Sequence, residues 1–296
     1  MRVPPQIHLL PDRRRLHLSD GPIDLIVQAF ADGEQVRAAY RAASDRFMTL
    51  LDELCNELTL LRQPMREGTH VFVGVVARRM ARAVEPFSSR GFITPMAAVA
   101  GAVAEEILEA MVAAGPLARA YVNNGGDIAF HLSPAQHFVV GMIERPDRPS
   151  LLGTATLRAD QPVRGVATSG WHGRSFSLGI ADAVTVLAGC ASAADAAATV
   201  IANAVDLPGH PAIVRQPACE LAPDSDLGAI PVTRAVGKLS TAEVGFALAS
   251  GAKLAEELRA TGLIEAAALC LRGQTRIVSS RSEDIFYSEF RSLVHA

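Results

Sequence analysis

Three segments of the sequence carry residue types able to hold an anionic small molecule. The first, Asn123-Asn124-Gly125-Gly126-Asp127, lies between two apolar runs. Paired glycines permit positive φ and let a ligand approach exposed backbone N–H groups, while Asn124 and Asp127 supply directional hydrogen bonds beside them. The same string is also a hairpin signal, because Asn-Gly favours a two-residue turn. Both readings stand at this level. In the second segment an extended run ends in Thr168-Ser169-Gly170. Two hydroxyls and a flexible backbone then sit at a strand's carboxyl end, where open α/β sheets place ligands. Trp171 follows with a ring that could stack, and His172 and Arg174 could face a phosphate. A polar surface loop is the alternative.

The third segment is Ala181-Asp182-Ala183-Val184-Thr185, followed by Ala194-Asp195-Ala196-Ala197-Ala198-Thr199. On a helix, Asp195 and Thr199 fall four residues apart on one face and could offer a carboxylate and a hydroxyl to one hard cation. Ser192-x-x-Asp195 also fits a capping box at the start of that helix, an equally physical reading that leaves Thr199 unexplained. No serine-hydrolase elbow, Walker loop, G-x-G-x-x-G turn or H-E-x-x-H pair occurs, and the eight histidines are dispersed.

These segments need elements to position them. Ser19-Asp20-Gly21-Pro22 between Arg15–Leu18 and Ile23–Phe30 predicts a hairpin over residues 14–30. Phe47, Leu50, Leu51, Leu54, Leu58 and Leu61 recur at spacings of three and four, which predicts a helix from Glu34 to Arg62, stopped by Pro64. A second helix is expected over Val71–Val84. A third starts at Thr94-Pro95 and runs to about Ala114; the small residues of Met96–Ala104 would let another backbone come close. Ala118–Val122, Asp127–Leu132, Phe138–Ile143, Gly153–Arg158, Val163–Ala167 and Val184–Leu187 read as short strands. Ser192–Val205 and Thr241–Arg259 read as helices and Ala266–Leu271 as a strand. The expected fold class is α/β (α+β), a mixed sheet flanked by helices within one domain over 1–296. That domain comprises the N-terminal hairpin and long helix (14–64), the core motifs (94–206) and a C-terminal portion (207–296).

Composition narrows the partners. Hydrophobic residues make up 49% of 296 and charged residues 20%, which gives a sizeable core and argues against disorder. A net charge of −3 gives no electrostatic reason to expect nucleic acid, and the basic run Arg13-Arg14-Arg15 reads as a solvated edge. Cys55, Cys190, Cys219 and Cys270 lack C-x-x-C or finger spacing and read as reduced thiols. No apolar stretch approaches a membrane span and no signal peptide is evident, so a cytoplasmic location is expected.

Taken in order, Gly125-Gly126-Asp127, Ala167-Thr168-Ser169-Gly170 and Ala194-Asp195-Ala196-Ala197-Ala198-Thr199 resemble the G-G-D, A-T-S-G and A-D-x-x-x-T motifs of the ApbE-like superfamily, which includes FAD:protein FMN transferases. The likeness of motifs covers residues 94–206, and a likeness to an uncharacterised ApbE-related branch covers most of the chain. The resemblance implies a T-fold-related architecture and FAD and Mg2+ as cofactors. It assigns flavin contacts to Asn124, Gly125, Gly126, Asp127, Thr168, Ser169 and Gly170, and metal ligation to Asp195 and Thr199 with a carbonyl near Val99. Two departures qualify it. Ala100-Gly101 stands where transferases carry K-G, and Arg174–Asp182 replaces their H-x-x-D-P-x-T-G segment, which leaves Asp182 as the candidate catalytic group. The expected function is a Mg-dependent FMN transferase or FAD pyrophosphate-cleaving enzyme. The alternatives are a non-catalytic flavin carrier and an enzyme acting on another nucleotide-like or pterin-like molecule. The expected partner is a flavin-like ligand, with neither nucleic acid nor membrane; a homo-oligomer is compatible with the sequence.

Overall fold

The computed structural model describes residues 4–66, 71–143, 151–279 and 286–287. In chain order its strands are β1 (Gln6–Leu9), β2 (Leu16–Asp20), β3 (Ile23–Phe30), β4 (Arg119–Asn124), β5 (Asp127–Leu132), β6 (His137–Ile143), β7 (Leu151–Arg158), β8 (Gly165–Ser169), β9 (Ala183–Ala188), β10 (Ile213–Pro217), β11 (Pro231–Val236), β12 (Ala266–Leu271), β13 (Gln274–Ser279) and β14 (Phe286–Tyr287). The helices are α1 (Gly33–Asn56), α2 (Leu58–Leu61), α3 (Val75–Val84), α4 (Val99–Ala113), α5 (Ala191–Ala204), α6 (Ala218–Leu221) and α7 (Thr241–Ala260). The fold is mixed α/β, and its described strand pairs are antiparallel. The chain divides into two compact units, residues 1–137, 158–167 and 188–196 in the first, and 138–157, 168–187 and 197–296 in the second. The boundaries fall within β6, β7, β8, β9 and α5.

The first unit is a sheet in the order β1-β2-β3-β4-β5-β8 with helices on one face. Strict alternation explains this: Leu16, Leu18, Leu25, Val27, Ala120 and Val122 are buried beneath α1 and α4, while His17, Ser19, Ile26, Tyr121 and Asn123 on the opposite face keep partial exposure. The hairpin turn is shorter than its sequence predicts. β2 runs through Asp20, and Gly21 (φ +56°) with Pro22 makes the bend, the sign pattern of a II′ turn that suits the sheet's twist. The basic run lies in the turn between β1 and β2, where Asp12 Oδ1 accepts from the N–H groups of Arg14 (2.9 Å) and Arg15 (3.0 Å). β1 was not anticipated, because Gln6–Leu9 alternates too briefly to show a period.

α1 buries Ala39, Ala43, Phe47, Leu50 and Leu54 at the expected spacing. It ends at Asn56 and the chain re-forms as the one-turn α2, not as one helix to Arg62. The Glu57 carboxylate explains the break: it turns away to accept from the N–H groups of Val73 (2.8 Å) and Gly74 (2.7 Å), fixing the entry to α3. α3 therefore starts at Val75 and not Val71. Pro95 opens a 3-10 turn (Pro95–Ala98) before α4 proper begins at Val99.

The second unit contains the strands β9-β12-β13 with α7 against β12 and β13, the ribbon β10-β11 and the small sheet β14-β7-β6. Its β12 is buried along its whole length. α7 begins with a capping box, Ser240 Oγ accepting from Glu243 N (3.3 Å) while Glu243 Oε2 accepts from Ser240 N (2.7 Å). No helix among the described residues is long and apolar enough to cross a membrane.

Candidate functional site

The residues of the first unit that the sequence singles out gather at the N-terminus of α4. β4 and β5 form a hairpin closed by Gly125 (φ +65°) and Gly126 (φ +115°), with Asn124 opposite Asp127. Asn123 Oδ1 accepts from Gly126 N at 2.8 Å and locks the turn, a role for Asn123 that sequence reasoning did not assign. Asn124 is buried; its Nδ2 donates to the Ala100 carbonyl at 3.2 Å. The hairpin reading of this segment is therefore the one seen in the backbone, and Asn124 is the group that ties it to α4.

Asp195 does not cap its own helix. Its Oδ2 accepts from Gly101 N at 3.0 Å, in the first turn of α4, where a backbone N–H has no intrahelical partner. The converse contact comes from Glu105 on α4, whose Oε1 accepts from Ser192 N in the first turn of α5 at 2.5 Å. Each helix thus lends a carboxylate to the other's positive end. The expected Ser192-x-x-Asp195 box is replaced by this exchange. Gly101 makes it geometrically accessible, because a Cβ there would collide with the Ala191 carbonyl. Gly165 does the same on the sheet side, where a Cβ would meet Cys190 and Ala191 backbone.

Charge around Asp195 is one-sided. Burial pushes its carboxyl well above the usual carboxylate range, and the negative charges of Asp127 and Glu105 add to this; the N–H groups of Gly101 and Ala100 act in the other direction. Glu105 is itself partnered by Arg79 Nη1 (2.6 Å), whose other bonds go to Glu106 (3.3 Å) and Glu109 (2.8 Å). Arg79 and Glu105 also line a cavity of about 490 Å³ that reaches Phe130, Arg164 and Cys190. Burial pushes the Cys190 thiol up, with Glu105 adding to it, so it is no activated nucleophile. Arg164 turns inward to the carbonyls of Ala159, Gln161 and Val163 and so serves the backbone.

In the second unit the centre is Asp182, which is buried. Its Oδ2 accepts from Arg272 N (2.6 Å) and its Oδ1 from Trp171 Nε1 (3.2 Å), and His172 Nε2 stands 3.2 Å from the same Oδ1. The Trp171 and His172 rings lie 3.8 Å apart, tilted by 36°. Gly170 is required here, since a Cβ would strike the Asp182 carbonyl. Thr168 Oγ1 shares a hydrogen bond with Thr185 Oγ1 at 2.9 Å, and Ser169 is half-buried at the end of β8. A carboxylate with this many donors is built to orient: it fixes the indole and imidazole that follow Thr168-Ser169-Gly170. Thr199 stands one turn beyond Asp195 in α5 and is half-buried. Among the described residues, no three His, Cys, Asp or Glu side chains cluster as a metal site.

The curated relatives match this chain over part of their length. A UPF0280 protein of Methanopyrus kandleri is 42% identical over 128 residues, 43% of this chain and 48% of its own. One from Methanosarcina acetivorans is 41% identical over 133 residues, 45% and 49%. The chain thus spans about half the length of these relatives. Among solved structures, an ApbE protein of Thermotoga maritima aligns with a TM-score of 0.49 at 13% identity, covering 93% of this chain and 97% of that one. A flavinyl transferase ApbE of Pseudomonas stutzeri aligns with a TM-score of 0.48 at 12% identity, covering 93% and 94%. The model of one family, described as AbpE bacteria, matches residues 7–277 of the 296, and the chain belongs to that family.

Proposed function

We propose that this protein binds a flavin nucleotide with a divalent cation and acts on its pyrophosphate, either transferring FMN or releasing it. The observation that carries the proposal is the Asp195 carboxylate, buried beside the negative charge of Asp127 and held by N–H donors of α4. Two carboxylates that oppose one another in a desolvated place are stabilised by a cation between them. Hard oxygen donors suit Mg2+, and Asp195, the Thr199 hydroxyl and backbone carbonyls of the Val99 region would hold it. The cation would neutralise phosphate charge when bound. Flavin contacts are proposed for Asn124, Gly125, Gly126 and Asp127, and for Thr168, Ser169 and Gly170.

The protein's own acid–base chemistry is assigned to His172, with Asp182 as its positioning partner. Asp182 Oδ1, 3.2 Å from Nε2, fixes the orientation in which the imidazole would hold or deliver a proton. This takes the place of the histidine that the ApbE transferases carry further along, in the stretch where this chain has Arg174–Asp182. That same departure supports a second reading, a flavin carrier without turnover.

Trp171 is the single tryptophan of the chain, so intrinsic fluorescence reports directly on the segment after Thr168-Ser169-Gly170. Titration with FAD should quench it saturably, and more steeply with Mg2+ than with EDTA. A signal that does not change would refute flavin binding here. Mass spectrometry of the mixture separates the two readings: FMN or an FMN-modified protein marks the enzyme, and intact FAD marks the carrier.

A further inference from the structure

We infer that β1 is a self-association edge, at which a second copy of this chain adds its own β1 antiparallel about a two-fold axis through His8. Among the described residues β1 pairs with β2 alone. The phase of that ladder follows from one bond. Leu10 N donates to Arg15 O (2.8 Å), so His8–His17 and Gln6–Ser19, two and four residues back, are the hydrogen-bonded pairs. Ile7 and Leu9 are the alternate residues, and their N–H and C=O groups point to the open side.

The sequence brackets this opening. Pro5 and Pro11 share the outward phase of Ile7 and Leu9 and have no N–H to donate. Outward donors are therefore confined to Ile7 and Leu9, symmetric about His8. An antiparallel copy that satisfies both must place Ile7 opposite the partner's Leu9, Leu9 opposite the partner's Ile7, and the two His8 residues opposite each other. The two prolines then face one another at either end, where no bond is needed. A sheet edge protected against pairing carries charge or proline within it; here the unblocked positions carry Ile7 (37% exposed) and Leu9 (53% exposed).

Side chains agree with the backbone. Ile7 lies opposite Leu18 and Leu9 opposite Leu16, both buried, so the apolar face of the sheet runs out past its own cover. A second β1 would set four aliphatic side chains side by side on that face. On the other face the His8 ring is drawn back onto His17, with Nε2 and Nδ1 3.2 Å apart, and His17 is held by Asp24 at 3.0 Å. This leaves room at the axis for the second His8. A ladder this short buries less than a standard interface, so a Kd between about 1 µM and 1 mM is expected.

The axis gives a position-specific test, made on the full chain with the exposed Cys55 replaced by Ser. At a non-hydrogen-bonded antiparallel pair the Cα atoms lie about 4.5 Å apart, within disulfide reach. Air oxidation of His8→Cys should give a disulfide-linked dimer, whereas Ile7→Cys, which would face the partner's Leu9, should form no disulfide crosslink. Equal crosslinking at both positions, or none at His8→Cys, would overturn the register. Leu9→Pro removes an outward donor and no bond to β2; it should abolish the self-association of the wild-type chain in sedimentation equilibrium while leaving its melting temperature within a few degrees. A wild-type chain that remains monomeric at about 1 mM would overturn the proposal altogether.

Discussion

Glu105 accepts a hydrogen bond from Ser192 N across 2.5 Å, and the packing of α4 against the start of α5 turns on that contact. Because Asp195 returns the favour to Gly101 at 3.0 Å, α4 and α5 are docked by two carboxylates, each placed on the other's positive end. Arg79 holds Glu105 from behind. The exchange binds together residues separated by some ninety positions in sequence, next to the point where Asn124 meets α4 at the Ala100 carbonyl.

Removing Glu105 should therefore be costly in two ways. Glu105→Ala uncaps α5 and takes a buried counter-charge from Arg79, a loss of about 3 kcal/mol. Glu105→Gln keeps an oxygen for the Ser192 N–H and should be milder by about 1 kcal/mol, the worth of a cap. Urea denaturation of the two variants measures the difference; equal losses would mean that the cap contributes nothing.

Close backbone approach makes a second expectation. Gly101→Ala should destabilise by about 1–3 kcal/mol, because the new methyl meets the Ala191 carbonyl and neither helix can withdraw without losing a cap. Gly245 in α7 is the control: a Cβ there touches nothing within 4 Å, so Gly245→Ala should stabilise by about 0.5–1 kcal/mol through helix propensity. Thermal melts of the pair should move in opposite directions.

Much of this architecture was legible in the sequence. α7, β12 and the glycine hairpin follow from periodicity and turn chemistry, and the small residues of α4 foretold a close neighbour. What sequence could not show is which partner an oxygen chooses. Ser192-x-x-Asp195 has the spacing of a local box, but the Asp195 carboxylate is spent on α4, a non-local bond that no spacing encodes. Glu57 breaks the long helix for the same reason, by reaching Val73 and Gly74. Asp182, singled out for its family position, stands with Trp171 and His172, and the pairing with Arg272 N ninety residues later lies beyond any local pattern. The edge strand β1 leaves no periodic mark in the sequence, because four residues carry too little alternation to register.

The capping box of α7 carries a pH dependence. The Ser240 backbone N–H, with His210 and the Ser240 hydroxyl helping, holds the Glu243 carboxyl down to about 2 from an ordinary 4.5. Its folded value is the lower one, so its contribution to stability is full above pH 4.5 and is lost as pH falls toward 2. Wild type should exceed Glu243→Gln in urea midpoint at pH 7, and the gap should close as the pH is lowered through that window. A gap that persists at pH 2 would place the effect elsewhere than the charge.

Turnover should depend on the imidazole held by Asp182. His172→Gln should lower the rate of FMN release or transfer by about 10²–10⁴-fold with little change in FAD affinity. Asp182→Asn should lower it less and alter its pH profile, as expected of a positioning group. Loss of FAD binding in His172→Gln, with no separate effect on rate, would reduce the histidine to a binding residue.

Asp195→Asn separates the structural from the functional role of the same side chain. An asparagine oxygen can still accept from Gly101 N, and the exchange removes a buried negative charge that Asp127 opposes. Stability should therefore stay within about 1 kcal/mol of wild type, while Asp195→Ala loses the cap as well. If the carboxylate also ligates a cation, Asn, a neutral donor, cannot balance its charge, and the Mg2+ dependence of Trp171 quenching by FAD should disappear in both variants. Full Mg2+ dependence in Asp195→Asn would show that the residue is a helix cap alone, and would move the metal assignment off α5.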